Sequence, residues 1–66
     1  MDIILNGKPI ALEGVSSIDD LLKAKGYNGK LVAVALNGAF LPKEKYQKTD
    51  IRPRDSIEIV APMQGG

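Results

Sequence analysis

Ser56-Ile57-Glu58-Ile59-Val60-Ala61-Pro62-Met63-Gln64-Gly65-Gly66 closes the sequence, and its reading decides what the rest of the chain must be. Ser56 to Val60 combines β-branched residues with a period of two, which is the signature of a strand. Pro62 has no amide hydrogen to give a sheet ladder, so pairing is expected to stop near Ala61. Beyond it only Met63 is apolar enough to hold the chain down. The expectation is a folded body over residues 1–61 and a flexible Gly-Gly tail over 62–66. Glycines lack Cβ atoms, reach φ/ψ values closed to other residues and leave a carbonyl carbon unhindered. Such a tip suits the passage of a carboxylate through a narrow slot into another protein's active site. A terminus that merely frays would share this composition, so the body has to distinguish the two.

Working outward from the last strand, Pro53-Arg54-Asp55 reads as a corner. Lys43 to Asp50 is charged and polar around Tyr46, an aromatic expected to plug a small core from under a loop. Leu31 to Leu36 reads as a strand with Val32, Val34 and Leu36 on the helix-facing side and Ala33 and Ala35 on the other. Asn37-Gly38 marks a hairpin that leads into Ala39-Phe40-Leu41, which Pro42 stops. The same signal, Asn6-Gly7, separates Ile3-Ile4-Leu5 from Pro9-Ile10-Ala11-Leu12. A type I′ turn needs positive φ at both central positions, which is why Asn-Gly favours it.

Between the hairpins, Ser17 is an N-cap with Asp20 three residues on. Ile18, Leu21 and Leu22 form one apolar stripe, and Gly26 supplies the stop. Asp19 and Asp20 in the first turn and Lys23 and Lys25 in the last match the helix dipole, as a solvated face does. After the helix, Tyr27-Asn28-Gly29-Lys30 reads as a loop. Ile4, Leu21, Leu22, Val34, Leu36, Ile57 and Ile59 are the expected core. A helix joining two hairpins must cover one face of a sheet. The predicted class is α+β: a mixed four- to five-stranded sheet covered on one face by one helix, with the last strand beside the first. This is a β-grasp arrangement.

At 66 residues the chain is one domain with a small core. Its composition is 44% hydrophobic and 26% charged, with a net charge of +1, so no basic excess points to nucleic acid. There is no cysteine, hence no disulfide framework and no thiolate metal site. There is no histidine either, which removes the usual general base and the commonest metal ligand. No apolar run approaches membrane-spanning length, and Met1-Asp2-Ile3 lacks a basic leader region. A cytoplasmic protein that binds no membrane, no nucleic acid and no metal is expected, a monomer when free and not itself an enzyme.

The order of elements, the length, Leu36-Asn37-Gly38 with Pro42 just after, Asp55-x-Ile57-Glu58-Ile59-Val60 and Gly65-Gly66 together resemble the ThiS family. These are the ubiquitin-like β-grasp sulfur carriers of thiamine biosynthesis. The resemblance covers the whole chain and is sharpest in the final strand and the Gly-Gly end. The family usually opens the last strand with Gly-Asp, where this chain has Arg54-Asp55. It commonly places a small apolar residue near the glycines, where this chain has Met63-Gln64.

The resemblance implies that a ubiquitin-activating-like adenylyltransferase uses ATP to adenylate the Gly66 carboxylate, so the carrier itself needs no bound cofactor. Sulfur from a cysteine desulfurase or another donor then converts it to a thiocarboxylate, and thiazole synthase receives it. The chemistry is coherent on the residues alone. A carboxylate with a pKa near 3.5 is ionised at neutral pH and a poor electrophile. An acyl-adenylate carries a good leaving group that a sulfur nucleophile can displace.

On this reading Gly66 carries the sulfur and Gly65 lets the tail enter the partner's active site. Ala33, Ala35, Glu58 and Val60, on the sheet face away from the helix, are the expected partner-docking face. The same residues on an ordinary solvated sheet face would need no partner. A molybdopterin-type carrier and a ubiquitin-like modifier share the fold and the Gly-Gly end. A passive β-grasp binding module with an inert tail is a further reading, from a different class.

Overall fold

Asn6-Gly7 turns at φ 51° and 80°, and Asn37-Gly38 at φ 51° and 84°. Both are left-handed pairs, the backbone that a two-residue type I′ hairpin demands. The computed structural model describes residues 1–27 and 31–61. Residues 28–30 of the expected loop and the whole 62–66 segment lie outside the described residues.

The first turn joins β1 (Asp2–Leu5) to β2 (Lys8–Ala11), and the second joins β3 (Ala33–Leu36) to β4 (Ala39–Leu41). Helix α1 (Ile18–Ala24) lies between the hairpins, and β5 (Ser56–Val60) comes last. β5 inserts between the hairpins, parallel to β1 and antiparallel to β3, giving one five-stranded sheet in the order β2-β1-β5-β3-β4. The expected mixed sheet with one helix is therefore present. Pro9 sits opposite Ile4 in β2, an edge strand, where a missing amide hydrogen costs the ladder least. The third strand begins at Ala33 rather than Leu31.

The helix start follows the sequence signal. Ser17 Oγ accepts from Asp20 N at 3.1 Å, and the Asp20 carboxylate reaches back to Ser17 N, closing a capping box. Two further first-turn amides are satisfied from outside the helix: Ile18 N donates to Thr49 O and Asp19 N to Tyr46 O. The segment around Tyr46 thus seals the helix N-terminus. At the other end Gly26 takes φ 82°, Tyr27 N donates to Leu22 O and Gly26 N to Lys23 O. These crossed bonds are a Schellman stop. Asp19 and Lys23 form an i,i+4 ion pair at 3.0 Å on the outer face, worth only a few tenths of a kcal/mol.

Ile3, Ile18, Leu21, Val34 and Ile57 are fully buried between helix and sheet, with Leu22 and Ile59 beside them. Tyr46 is buried as expected, and its hydroxyl donates to Val32 O at 3.4 Å. Burial first, and the Glu44 charge second, push its phenol pKa up. Leu36 packs partly buried against this core.

Ile4 corrects the expectation: it is 40% exposed, and Ile3 takes its place in the core. The cause is register. Leu5 pairs with buried Ile57 and Ile4 with Ser56, and paired residues share a face, so alternation puts Ile3 and Leu5 inward.

Candidate functional site: an apolar sheet face at the root of the last strand

The sheet face away from the helix is set by pairing between β5 and β3. Val60 stands opposite Ala33, and Glu58 opposite Ala35. All four expected docking residues therefore share one face, as two adjacent cross-strand pairs. Val60 is 63% exposed, Ala33 and Glu58 are exposed, and Ala35 is half-buried. The alanines leave a shallow floor between taller side chains.

The structure adds two residues to this face. Phe40 pairs with Ala35 across the β3–β4 hairpin and is 71% exposed. It lines the same depression as Ala33, Ala35, Glu58 and Val60. Ile4 stands on the same side of β1. The signal for Phe40 was legible: a two-residue Asn-Gly turn pairs Leu36 with Ala39, and therefore Ala35 with Phe40. Nothing in the uniform run Ile3-Ile4-Leu5 chose which isoleucine faces outward. Phe40 and Val60 flank a small-residue floor with one carboxylate, and Ile4 extends the apolar face toward the start of β5.

Polar side chains from both hairpin turns hold the central strand. Asn37 Oδ1 accepts from Ser56 N at 2.9 Å, and Asn37 N donates to Ser56 O at 2.7 Å. Asn37 Nδ2 also donates to the Asp55 carboxylate at 3.1 Å, whose other oxygen accepts from Arg52 N at 2.8 Å. Near the opposite end, Asn6 Oδ1 accepts from Ile59 N and Asn6 N donates to Ile57 O, each at 2.8 Å. The strand is fixed up to the point where the chain leaves the sheet. Gly65 and Gly66, the expected tail and sulfur-carrying terminus, lie outside the described residues.

Among the described residues no three Asp or Glu side chains gather to hold a metal ion, and no helix is long and apolar enough to cross a membrane. With neither histidine nor cysteine in the sequence, the side chains offer no usual acid–base or thiol chemistry. What the arrangement offers is an exposed apolar face beside the end of β5.

The chain is 44% identical over 63 residues to the sulfur carrier protein ThiS of Thermus thermophilus, covering 94% of this chain and 95% of that protein. The crystal structure of the thiamine biosynthesis protein ThiS from Geobacter metallireducens superposes with a TM-score of 0.83 at 35% identity, covering all of both chains. A thiazole synthase from Paramagnetospirillum magneticum matches the whole chain at 30% identity, but the chain spans only 20% of that protein's length. The model of the ThiS family matches residues 3–66, from the first strand through both terminal glycines, and this chain belongs to that family.

Proposed function

We propose that this protein is a sulfur carrier of thiamine biosynthesis, with Gly66 as its reacting terminus. A partner adenylyltransferase activates the Gly66 carboxylate with ATP, releasing pyrophosphate. Hydrosulfide attacks the carbonyl carbon, the bond to AMP breaks and AMP leaves, a proton is released, and a thiocarboxylate remains for delivery to the thiazole-forming enzyme. The observation that carries this reading is the match of the ThiS family model to residues 3–66, through Gly65-Gly66, beside a named sulfur carrier 44% identical over 94% of the chain.

The geometry supports it. The face of Phe40, Val60, Ala33 and Ala35 adjoins the end of β5, so a partner seated there lies beside the point from which the terminus must be delivered. The occupant we assign to it is the adenylyltransferase, because that enzyme must hold the body while the terminus reaches its ATP. Thiazole synthase is the proposed acceptor, since one such enzyme contains a segment similar to this entire chain. ATP-dependent activation fits a cytoplasmic setting.

The test is intact-mass analysis of the protein after incubation with a ThiS-activating enzyme, ATP and a sulfur donor. Replacement of one oxygen by sulfur at Gly66 is the expected result. Removing Gly66 draws the carboxylate back by up to about 3.5 Å and is expected to abolish both ATP–pyrophosphate exchange and sulfur uptake. Exchange at the full-length rate without Gly66 would remove the terminal carboxylate from the mechanism. An isopeptide link to protein lysines would instead identify a modifier.

A further inference from the structure

Asn6 does more than turn the first hairpin. In a regular parallel ladder, one residue of β1 donates its N–H to one β5 carbonyl and accepts, through its own carbonyl, from the β5 amide two residues on. Asn6 N donates to Ile57 O as that pattern requires. At φ 51° the main chain has already turned away. The side-chain Oδ1 takes over the missing carbonyl's role and accepts from Ile59 N at 2.8 Å, across 53 residues of sequence. The parallel ladder is thereby carried one rung beyond the end of β1. Asn37 uses the same substitution at the other end of β5, pairing its N and Oδ1 with Ser56.

The two bonds act at different places. Asn37 holds the start of the strand, and Asn6 holds Ile59, immediately before Val60 on the docking face. We propose that Asn6 is a positioning residue for partner engagement: its side-chain oxygen keeps Ile59 and Val60 in the sheet, fixing both the docking valine and the point where the chain leaves the body. Without it, the outermost rung on the β1 side opens. Val60 then spends part of its time away from Ala33, and the segment that must be delivered departs from a wandering root. The effect belongs to binding rather than to chemistry, because Asn6 lies on the body and bonds to main-chain atoms of Ile57 and Ile59. This inference rests on the carrier reading above.

The experiment compares Asn6→Gly, Asn6→Asp and Asn37→Gly in the full chain. Glycine keeps the positive φ of each turn; at position 6 it removes the acceptor for Ile59 N, and at position 37 it removes the acceptor for Ser56 N together with the Nδ2 donor to Asp55. Aspartate at position 6 tolerates the same backbone and restores an acceptor oxygen. Amide hydrogen exchange is read at Ile59, and ATP–pyrophosphate exchange with a ThiS-activating enzyme yields KM and kcat. In Asn6→Gly, Ile59 is expected to exchange roughly five- to tenfold faster, as the loss of one net hydrogen bond implies. KM for the carrier is expected to rise roughly fivefold on the same basis, with kcat unchanged within about twofold. Asn6→Asp is expected to restore both. Asn37→Gly, which loosens the same strand at the far end, is expected to leave KM near wild type.

Unaltered Ile59 exchange in Asn6→Gly would overturn the structural claim. An unchanged KM, an equal rise in Asn37→Gly, or no rescue by aspartate would overturn the positioning role. A wild-type chain inactive in pyrophosphate exchange would overturn the carrier reading and the functional half of this inference, while Ile59 exchange would still decide the structural half.

Discussion

Arg54 holds its backbone at φ 71°, in the left-handed region where a Cβ crowds the carbonyl. The position is fixed by neighbours rather than by its own side chain: Arg54 N donates to Asp2 O, and Asp55 N to Arg52 O. Here the ThiS family usually has glycine. Left-handed backbone costs a non-glycine residue about 1–2 kcal/mol, and glycine's extra freedom in the unfolded chain returns about 0.4–1 kcal/mol of that. Arg54→Gly is therefore expected to stabilise the protein by roughly 0.5–1 kcal/mol, read as a higher urea midpoint. A lower midpoint would mean that the arginine side chain holds the corner in a way its backbone does not reveal.

Asp20 offers a second test at the same scale. Hydrogen bonds from Ser16, first from its side chain and then from its backbone, hold the Asp20 carboxyl below its ordinary pKa, aided by the amide of Ser17. A depressed folded pKa contributes stability above the unfolded value, near 3.8, and loses it as pH falls through the folded one. Asp20→Asn should thus be the less stable protein at neutral pH, with the gap closing in acid. A gap unchanged from pH 7 down to about 2.5 would show that the ionised carboxylate adds nothing to the cap.

Among the elements, β1 is the most instructive. Ile3→Ala should cost about 2–5 kcal/mol, because Ile3 is buried to 1% exposure in the helix–sheet core. Ile4→Ala, one residue along but facing outward, should cost less than about 1 kcal/mol. Equal destabilisation of the two in thermal or urea unfolding would contradict the β1–β5 register. The neighbouring elements were legible because their signals are local. Asn-Gly dictates a turn, Ser17 with Asp20 dictates a helix start, and Gly26 a stop, each within a few residues. The face chosen by Ile3-Ile4-Leu5 is settled by Ile57, more than fifty positions away in sequence. A uniformly apolar run carries no record of that partner. Likewise the shared outer face of Ala33 and Ala35 was readable from alternation within one strand. Phe40 required the register of a hairpin, and the reach of Asn6 to Ile59 required the folded sheet itself.

At the scale of the molecule, the proposed function divides the task between a surface that binds and a terminus that reacts, and the two should be separable. On the proposed docking face, Phe40 and Val60 are both more than half exposed and therefore add little to the stability of the free body. Replacing both with threonine leaves strand-compatible residues on β4 and β5 while removing the apolar area a partner would bury. The Phe40→Thr, Val60→Thr protein should unfold near the wild-type midpoint, yet show KM raised roughly tenfold or more in pyrophosphate exchange, since burying such side chains contributes about 1.5–3 kcal/mol each. Its kcat should stay within about twofold. The protein lacking Gly66 should behave in the opposite way. It retains Phe40, Val60 and the alanine floor, so it should occupy the activating enzyme without reacting and inhibit the full-length carrier competitively, with an inhibition constant near the carrier's own dissociation constant. If the shortened protein fails to compete, the terminus rather than the sheet supplies the affinity. The body would then act only as a spacer, and the exposed face would have to serve a different partner.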